Sequence, residues 1–244
     1  MAGSSAAGEF PKFTALRALT GSATPHVLVK FSGADASPTV TRWADLLVCE
    51  HLALECARTL PGIASARSRI LIQAGRTFLE VERFDRHDRL GRSPLCSLDT
   101  LNAALLGKTP GDWPTFADAL VAAKWLGDGD AQRRHHLWWF GRLIANTDMH
   151  LGNLSFQPTQ GRLCLAPTYD ILPMRHAPLA GGELPTDEVE PPLPLPRQRA
   201  IWLAACQAAV EFWSRVGADT RISEGFRRLG LEHGQRLQTL AEQV

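Results

Sequence analysis

The chain has 244 residues, with 26 lysines and arginines against 25 aspartates and glutamates. Apolar side chains make up 45% of the sequence, the ordinary share for a domain with a packed core. Because phosphate backbones are bound by an excess of basic residues, this balance gives no reason to expect direct binding of nucleic acid. The length suits one large domain or two modest lobes around a shared cleft.

Cysteine usage and hydropathy indicate a reducing compartment. The five cysteines are scattered and contain no C-x-x-C pair, which argues against a disulfide framework and a structural zinc site. The opening MAGSSAAGEF lacks the basic and apolar segments of a signal peptide, and no window reaches 18 uninterrupted apolar residues. We therefore expect a cytoplasmic protein without membrane association.

The first third of the chain predicts a small β-rich unit. After a Gly/Ser/Ala-rich opening, HVLVKF at residues 26–31 is a strand-like run. Apolar residues recur at helical spacing over 42–60, and Pro61-Gly62 end that helix. Two further strand-like runs, ARSRILIQ and RTFLEVERF, are separated by Ala74-Gly75 and predict a hairpin.

After residue 85, helical patterns dominate. They lie in LDTLNAALL, FADALVAAKWL and HHLWWFGRLIANT, and in two closing helices at 200–216 and 222–241. The Pro-rich segment at 185–199 predicts an extended loop or linker, or else an ordered crossing over the surface between helices. We predict an α+β fold with a small β-rich lobe at 1–85 and a larger helical lobe at 86–244.

The strongest chemical signal is a polar cluster directly after the apolar run LWWFGRLIA. NTDMHLGN at 146–153 and LAPTYD at 165–170 supply two carboxylates, two amides and an imidazole. Phosphoryl transfer needs a carboxylate near the attacking hydroxyl and hard oxygen ligands for Mg²⁺. An Asp and an Asn five residues apart, with a second Asp downstream, match the kinase arrangement of base and metal ligands.

This block, N-x-D-x-H-x-x-N followed by L-A-P-x-Y-D, resembles the catalytic signature of the HipA-like serine/threonine protein kinase toxins. VERFDR at 81–86 is similar to the hinge of that family, and GSSAAGEFPKFTAL at 3–16 to its Gly-rich serine loop. The motifs follow the family's order across residues 3–174. The resemblance implies a protein-kinase-like fold in which lobe 1–85 binds the nucleotide and lobe 86–244 carries catalysis.

The resemblance also implies a role for each motif residue. Asp148 would be the catalytic base, and Asn153 and Asp170 would hold Mg²⁺. Lys30 would neutralise the phosphates as a point charge. Ser5 would be an autophosphorylation site, or alternatively an unmodified serine of a flexible tail. The residues expected to contact ATP are Ala7, Gly8, Glu9, Phe10, Pro11, Lys12, Lys30, Glu82, Arg83, Phe84, Asp85, His150, Leu151, Gly152, Asn153, Tyr169 and Asp170.

Within that set, the resemblance places residues 7–12 in a loop over the phosphates, where bare backbone N–H groups suit anions. Glu82 and Phe84 would present backbone groups to the adenine edge, and Asp85 would reach the ribose. Tyr169 would line the nucleotide pocket.

Several of these residues also fit structural roles. Lys30 could be a solvated lysine at a strand end, and Asp85 could pair with Arg83 or Arg86. His150, expected beside the phosphates, could instead cap a turn or lie in the core.

Other candidates are better explained by structure than by chemistry. The His135-His136 pair has no third metal ligand nearby, so a solvated helix start is favoured. The tryptophans fall at helical spacing and are expected to pack in the core; they are Trp138, Trp139, Trp202 and Trp213.

By this resemblance the reaction is transfer of the ATP γ-phosphoryl group to a Ser or Thr hydroxyl of a protein, with ATP and Mg²⁺ as cofactors. The resemblance further implies a toxin of a toxin–antitoxin system that acts on a translation protein such as an aminoacyl-tRNA synthetase. Two alternatives stay open: a kinase-like small-molecule phosphotransferase, and a pseudokinase that regulates or binds a partner.

The expected partners follow from the same resemblance. Family members carry an N-terminal subdomain before the serine loop, and this sequence starts at that loop. Either the chain is a truncated form, or a separate small protein supplies that subdomain. We expect a protein substrate with a Ser or Thr acceptor, a helix-turn-helix antitoxin and, in the second case, a separate protein that resembles the N-terminal subdomain.

Overall fold

The computed structural model describes residues 10–17, 24–108, 111–159, 161–186 and 189–244. The predictions for Ser5, Ala7, Gly8 and Glu9 lie outside these residues and stay predictions. Within the described ranges, no helix has the length and apolar character needed to cross a membrane.

A four-stranded antiparallel sheet forms the N-terminal part. Its strands are β1 (Lys12–Leu16), β2 (His26–Phe31), β3 (Ser68–Gln73) and β4 (Arg76–Glu82), in the order β1-β2-β4-β3. The predicted hairpin is confirmed between β3 and β4. Ala74 and Gly75 both have positive φ, 49° and 72°, as a two-residue turn that matches the strand twist requires.

Helix α1 (Pro38–Ala57) packs against one face of this sheet. It begins earlier than the apolar pattern predicts, because the Ser37 hydroxyl caps the Val40 N–H and Pro38 suits the first turn. Lys30 lies opposite Leu79 in the β2–β4 register and points toward the helix, where it meets Glu50. The sheet and α1 together therefore hold a buried charged pair.

The rest of the chain is mainly helical. The helices are α2 (Leu98–Leu101), which continues into a π-helical turn (Asn102–Leu106), α3 (Trp113–Ala122), α4 (Asp128–Leu143), α5 (Arg199–Ala218) and α6 (Glu224–Gln243). Two small antiparallel sheets accompany them: β5 (Arg86–His87) with β6 (Gly91–Arg92), and β7 (Cys96–Ser97) with β8 (Ser155–Thr159) and β9 (Arg162–Leu165). Both predicted closing helices are confirmed to within two residues at each end.

Helices α5 and α6 approach each other closely through small residues. A Cβ atom on Gly230 would lie 2.8 Å from Val216 Cγ1, and one on Gly217 would lie 2.5 Å from Leu231 Cδ2. Trp213 is fully buried beside this crossing and donates its Nε1–H to the Leu143 carbonyl at 3.2 Å. The prediction of core packing is confirmed for Trp139, Trp202 and Trp213, whereas Trp138 is only partly buried.

The Pro-rich segment crosses the helical part without forming a long helix or strand in its described residues. Trp202 Nε1 donates to the Pro192 carbonyl at 2.9 Å, and Arg236 Nη1 donates to the Val189 carbonyl at 3.2 Å. These bonds favour the ordered-crossing alternative for residues 189–199.

Two histidines are packed into the α5–α6 core. The His233 ring stacks on Trp213 with 4.5 Å between ring centres, and the His176 ring lies edge-on to Trp213 and Phe226. Burial, together with nearby positive groups, lowers the pKa of His176 to about 3 and that of His233 to about 4. Both imidazoles are therefore neutral in the folded protein at neutral pH.

We expect these histidines to make the protein less stable in mild acid. Their pKa values in the folded state lie below the unfolded value of about 6.5, so the unfolded chain binds more protons once the pH falls below about 6.5. Urea unfolding at pH 7.5 and at pH 5.0 should show a lower free energy of unfolding at pH 5.0. His233→Phe retains an aromatic ring on Trp213. In this variant the difference in the free energy of unfolding between pH 7.5 and pH 5.0 should be smaller than in the parent. The same pH dependence in this variant as in the parent would contradict the assignment for His233.

Candidate active site

Lys30 is the centre of a buried ion cluster. Its side chain is 3% exposed, and Nζ lies 2.8 and 2.7 Å from the two carboxylate oxygens of Glu50. Nζ also lies 2.6 Å from Oδ1 of Asp170, a residue 140 positions along the chain. A charge at this depth persists only when it is paired. The alternative of a solvated strand-end lysine is therefore wrong.

Two carboxylates share this one ammonium group. Burial alone would lower the pKa of Lys30, but the charges of Glu50 and Asp170 outweigh it and raise the pKa above its usual value. Burial raises the pKa of Glu50 to about 7, and the charge of Asp170 adds to this effect while Lys30 opposes it. Burial also acts to raise the pKa of Asp170, but the charges of Lys30 and Lys12 outweigh it and lower that pKa.

Asp170 adopts a left-handed backbone conformation, with φ of 53°. Its loop is fixed by main-chain bonds on both sides of Thr168, from Thr168 N to the Ala64 carbonyl and from Ala66 N to the Thr168 carbonyl. Aspartate tolerates this conformation better than most residues, and such strain is concentrated at functional sites. The loop therefore holds the carboxylate beside Lys30 in one orientation.

The segment after α4 is a rigid loop built from its own polar side chains. Asn146 Oδ1 accepts from the Asp148 N–H at 3.0 Å, and Asn153 Nδ2 donates to the Asp148 carbonyl at 2.8 Å. His150 Nδ1 accepts from the Gly152 N–H at 3.0 Å, while its Nε2 lies 3.7 Å from Asp148 Oδ1. The Asp148 side chain stays 48% exposed, so its carboxylate is open to a reactant while its backbone is held in place.

Lys12 connects the two acidic positions. It lies opposite Lys30 in the β1–β2 register. Burial lowers the pKa of Lys12, the charge of Asp170 opposes that effect, and the charges of Lys30, Glu50 and Asp148 act on it as well. Lys12 therefore lies beside Lys30 and within electrostatic range of both Asp170 and Asp148.

The hinge residues are mostly engaged within the protein. The main-chain N–H groups of Glu82 and Arg83 donate to carbonyls of neighbouring strands or loops, at 2.8 and 3.0 Å. Arg83 binds both oxygens of Asp85, at 2.9 and 2.5 Å, and Arg86 approaches the same carboxylate at 3.2 Å. The geometry matches the alternative in which Asp85 is a structural charge.

Tyr169 links three predicted site segments. Its ring lies 5.9 Å from that of Phe84 in the hinge, and its hydroxyl donates to the Gly152 carbonyl at 3.0 Å. The Ser155 hydroxyl lies 2.7 Å from the same oxygen, and Leu151 beside it is buried. Tyr169 thus ties the hinge and the segment before Asp170 to the 146–153 loop.

The described end of the predicted phosphate loop packs inward. Phe10 is 8% exposed, and its ring lies edge-on to Trp43 at 4.7 Å and 5.8 Å from Lys30 Nζ. The Pro11 carbonyl accepts from the Phe31 N–H at 3.2 Å. Phe10 is therefore part of the wall behind Lys30.

The histidine pair on α4 has structural partners. His135 Nε2 lies 3.2 Å from Asp118 Oδ1, and His136 Nδ1 lies 3.0 Å from the Gln132 carbonyl. No cluster of three or more metal-ligating side chains occurs in the described part of the chain. The predicted solvated helix start is wrong, because both histidines lie in the middle of α4 and His136 is buried.

Glu50 is the functional candidate that sequence reasoning missed. It lies within LLVCEHLALE, a mostly apolar stretch, and is 1% exposed. The sequence pattern did not single it out, because α1 also buries Asp45 and carries Glu55.

Comparison with known proteins agrees with this geometry. The family model of the HipA-like C-terminal domain matches residues 4–217. Toxin YjjJ of Escherichia coli strain K12 is 39% identical over 243 residues, which is 99% of this chain and 54% of that protein. The chain therefore spans about half the length of this curated relative.

Two solved structures share the fold. A chain in the Shewanella oneidensis MR-1 complex of HipA, HipB and operator DNA has a TM-score of 0.60 at 19% identity, over 98% of this chain and 64% of that one. The Helicobacter pylori proinflammatory kinase CtkA has a TM-score of 0.58 at 11% identity, over 98% and 93%. The predicted kinase-like α+β fold is confirmed, and the chain belongs to the HipA-like C-terminal domain family.

Proposed function

We propose that this chain transfers the γ-phosphoryl group of ATP to a Ser or Thr hydroxyl of a protein, with Mg²⁺ as the metal. The observation that carries the proposal is Lys30, buried between Glu50 and Asp170, with Lys12 beside it under the charges of both Asp170 and Asp148. In kinases a lysine paired with a helix glutamate binds the phosphates, and an aspartate beside it holds the metal.

The donor atoms fit Mg²⁺, which is usually held by one or two carboxylates together with phosphate oxygens and water. Lys30 contacts Asp170 through Oδ1, and we assign Oδ2 to the metal. The Asn153 amide nitrogen donates to Asp148, which leaves the amide oxygen as the second ligand. Bound there, the metal would offset negative charge on the phosphates.

Asp148 is assigned as the residue that orients and deprotonates the acceptor. Its carboxylate would accept the proton of the acceptor hydroxyl, whose oxygen forms a bond to the γ-phosphorus. The bond from that phosphorus to the β–γ bridging oxygen breaks, and ADP leaves. The bonds that the Asn146 and Asn153 side chains make with the Asp148 backbone support this role, because they fix the backbone that carries the carboxylate before the acceptor arrives.

Both alternative functions have distinct expectations. A pseudokinase would bind nucleotide without turnover; the presence of the lysine, both carboxylates and the amide together counts against it. A small-molecule phosphotransferase would label a free metabolite and leave proteins unlabelled. Incubation with radiolabelled ATP separates these outcomes, and phosphopeptide mapping of the labelled chain tests Ser5.

The biological setting is also a proposal. One relative is named a toxin, and one structural neighbour is a complex of HipA with HipB and operator DNA. By analogy we propose a toxin with a helix-turn-helix antitoxin, a translation protein such as an aminoacyl-tRNA synthetase as its target, and a cytoplasmic location. The lobe boundary at residue 85 also stays a proposal.

The remaining expected partner is the separate protein that resembles the N-terminal subdomain. We propose that it would bind to an exposed face of the N-terminal sheet. The sheet face opposite α1 carries Phe13, Phe31 and Phe78. The ring centre of Phe31 lies 5.9 Å from that of Phe13 and 6.0 Å from that of Phe78. Phe13 is 44% exposed at its edge.

The metal assignment is tested by Asp170→Asn. Asparagine tolerates the same left-handed backbone, so the loop should be retained while a charged ligand is lost. Calorimetric titration should show weaker binding of Mg²⁺·ATP. The variant should bind Mg²⁺·ATP and metal-free ATP with the same affinity. Asp219→Asn, which removes a carboxylate paired with Arg221, serves as the control. Undiminished metal-dependent binding in Asp170→Asn would contradict the assignment.

A further inference from the structure

A groove of about 660 Å³ lies directly beside Asp148. Residues 146, 147, 149 and 150 form its floor, so it flanks the proposed base on both sides. Its walls come from the last turns of α4 and from residues 189–192 of the Pro-rich segment. An acceptor held here would lie next to the loop that carries Asp148.

The groove is preformed. Trp202 Nε1 binds the Pro192 carbonyl at 2.9 Å, and Arg236 Nη1 binds the Val189 carbonyl at 3.2 Å, which fixes the wall formed by the Pro-rich segment. Trp113 Nε1 donates to the His150 carbonyl at 3.1 Å and fixes the floor. A groove held in this way loses little conformational freedom when a ligand binds.

The acidic side chains of the groove are engaged elsewhere. Asp112 caps α3 and accepts from the Thr115 N–H at 3.0 Å and from its hydroxyl. Glu190 pairs with Arg236 at 3.3 Å. These contacts reduce the negative charge that the two carboxylates offer to a ligand.

Arg142 is a charged residue of the groove that has no acidic partner among the described residues. It lies in the last turn of α4, six residues before Asp148, with its guanidinium carbon 5.5 Å from the centre of the Trp138 ring. Within the described ranges, no carboxylate forms an ion pair with it. A guanidinium held over an indole is positioned to bind a carboxylate through two parallel hydrogen bonds. Arg175 lines the same groove.

We infer that this groove binds the acceptor as a polypeptide segment, and that Arg142 pairs with an acidic side chain close to the acceptor Ser or Thr. The inference rests on the proposed kinase function. The apolar surfaces of Met149, Val189 and Pro192 lie in the same groove as Arg142, and a peptide supplies both apolar and acidic contacts. The groove is also open to solvent, whereas a site for a small acceptor encloses most of its ligand.

The test is a positional library of Ser-centred peptides, incubated with the full chain and Mg²⁺·ATP. We expect Asp and Glu to be enriched at one position near the serine. For a matched Asp and Asn peptide pair, the ratio of kcat/KM should fall about tenfold in Arg142→Gln, because a hydrogen bond to a charged group is lost. Arg142→Lys retains the charge without the planar guanidinium, so its kcat/KM ratio should lie between those of the parent protein and Arg142→Gln.

Arg162→Gln removes a positive charge from the exposed strand β9, outside the groove, and should retain the parental ratio. The same peptides with alanine in place of the acceptor serine measure binding alone, by calorimetry. Labelled peptides with no acidic preference, or an unchanged ratio in Arg142→Gln, would overturn this inference and leave the kinase proposal standing. If no peptide is labelled and none of the alanine peptides binds, the peptide-groove inference and the kinase proposal are both contradicted.

Discussion

Replacing Asp148 with asparagine is expected to lower turnover about 10²–10⁴-fold, the usual effect of losing a general base. Binding of Mg²⁺·ATP should be unchanged, because Asp148 acts on the acceptor rather than on the nucleotide. Asparagine has nearly the same shape, so the main-chain bonds from Asn146 and Asn153 should persist. Phosphate transfer from radiolabelled ATP measures turnover, and calorimetric titration measures binding in the same preparation.

Asp118→Asn is the matched control for this result. Asp118 is an exposed carboxylate whose contact is with His135, so its replacement should leave both quantities unchanged. Loss of binding in Asp148→Asn together with normal binding in Asp170→Asn would reverse the roles assigned to the two carboxylates. Full activity of both variants would show that the reaction takes place elsewhere.

Local patterns predicted β2, β3, β4 and the polar loop because their signals lie within a few residues, whereas the short strands β5 to β9 were not predicted. The β3–β4 hairpin follows from two alternating runs around Ala74-Gly75, where the glycine accepts positive φ. The loop at 146–153 was predicted from polar side chains that cap their own turn. Such contacts need no knowledge of the rest of the chain.

Long-range pairing could not be predicted in the same way. Glu50 joins Lys30 because α1 lays one face on the sheet, and the apolar pattern of that helix gave no reason to select one glutamate. At Asp85, two neighbouring arginines pair with the carboxylate that the family resemblance assigned to ribose, and the ribose contact stays a prediction. A resemblance carries over the chemistry of a motif, while the actual partners depend on how the elements pack.

Replacing Lys30 with methionine is expected to weaken both ATP binding and the fold. Glu50 and Asp170 would lose the cation that they share, and removing one partner of a buried ion pair typically costs about 3–5 kcal/mol of stability. The pKa of Glu50, already about 7, should rise further in this variant. A carboxyl with a folded pKa above its unfolded value loses its contribution to stability as the pH rises, so urea unfolding should show a larger deficit at pH 8 than at pH 5.

The double variant Lys30→Met/Glu50→Leu separates folding from nucleotide binding. Replacing a buried pair by apolar side chains of similar volume is often neutral for stability, so the free energy of unfolding should recover in large part. ATP binding should not recover, because the positive charge that faces the phosphates is still missing. Recovery of both would mean that Lys30 serves the fold alone. Unchanged stability of the single variant would contradict the buried ion cluster itself, since Glu50, which is 1% exposed, cannot remain charged at that depth without a cation.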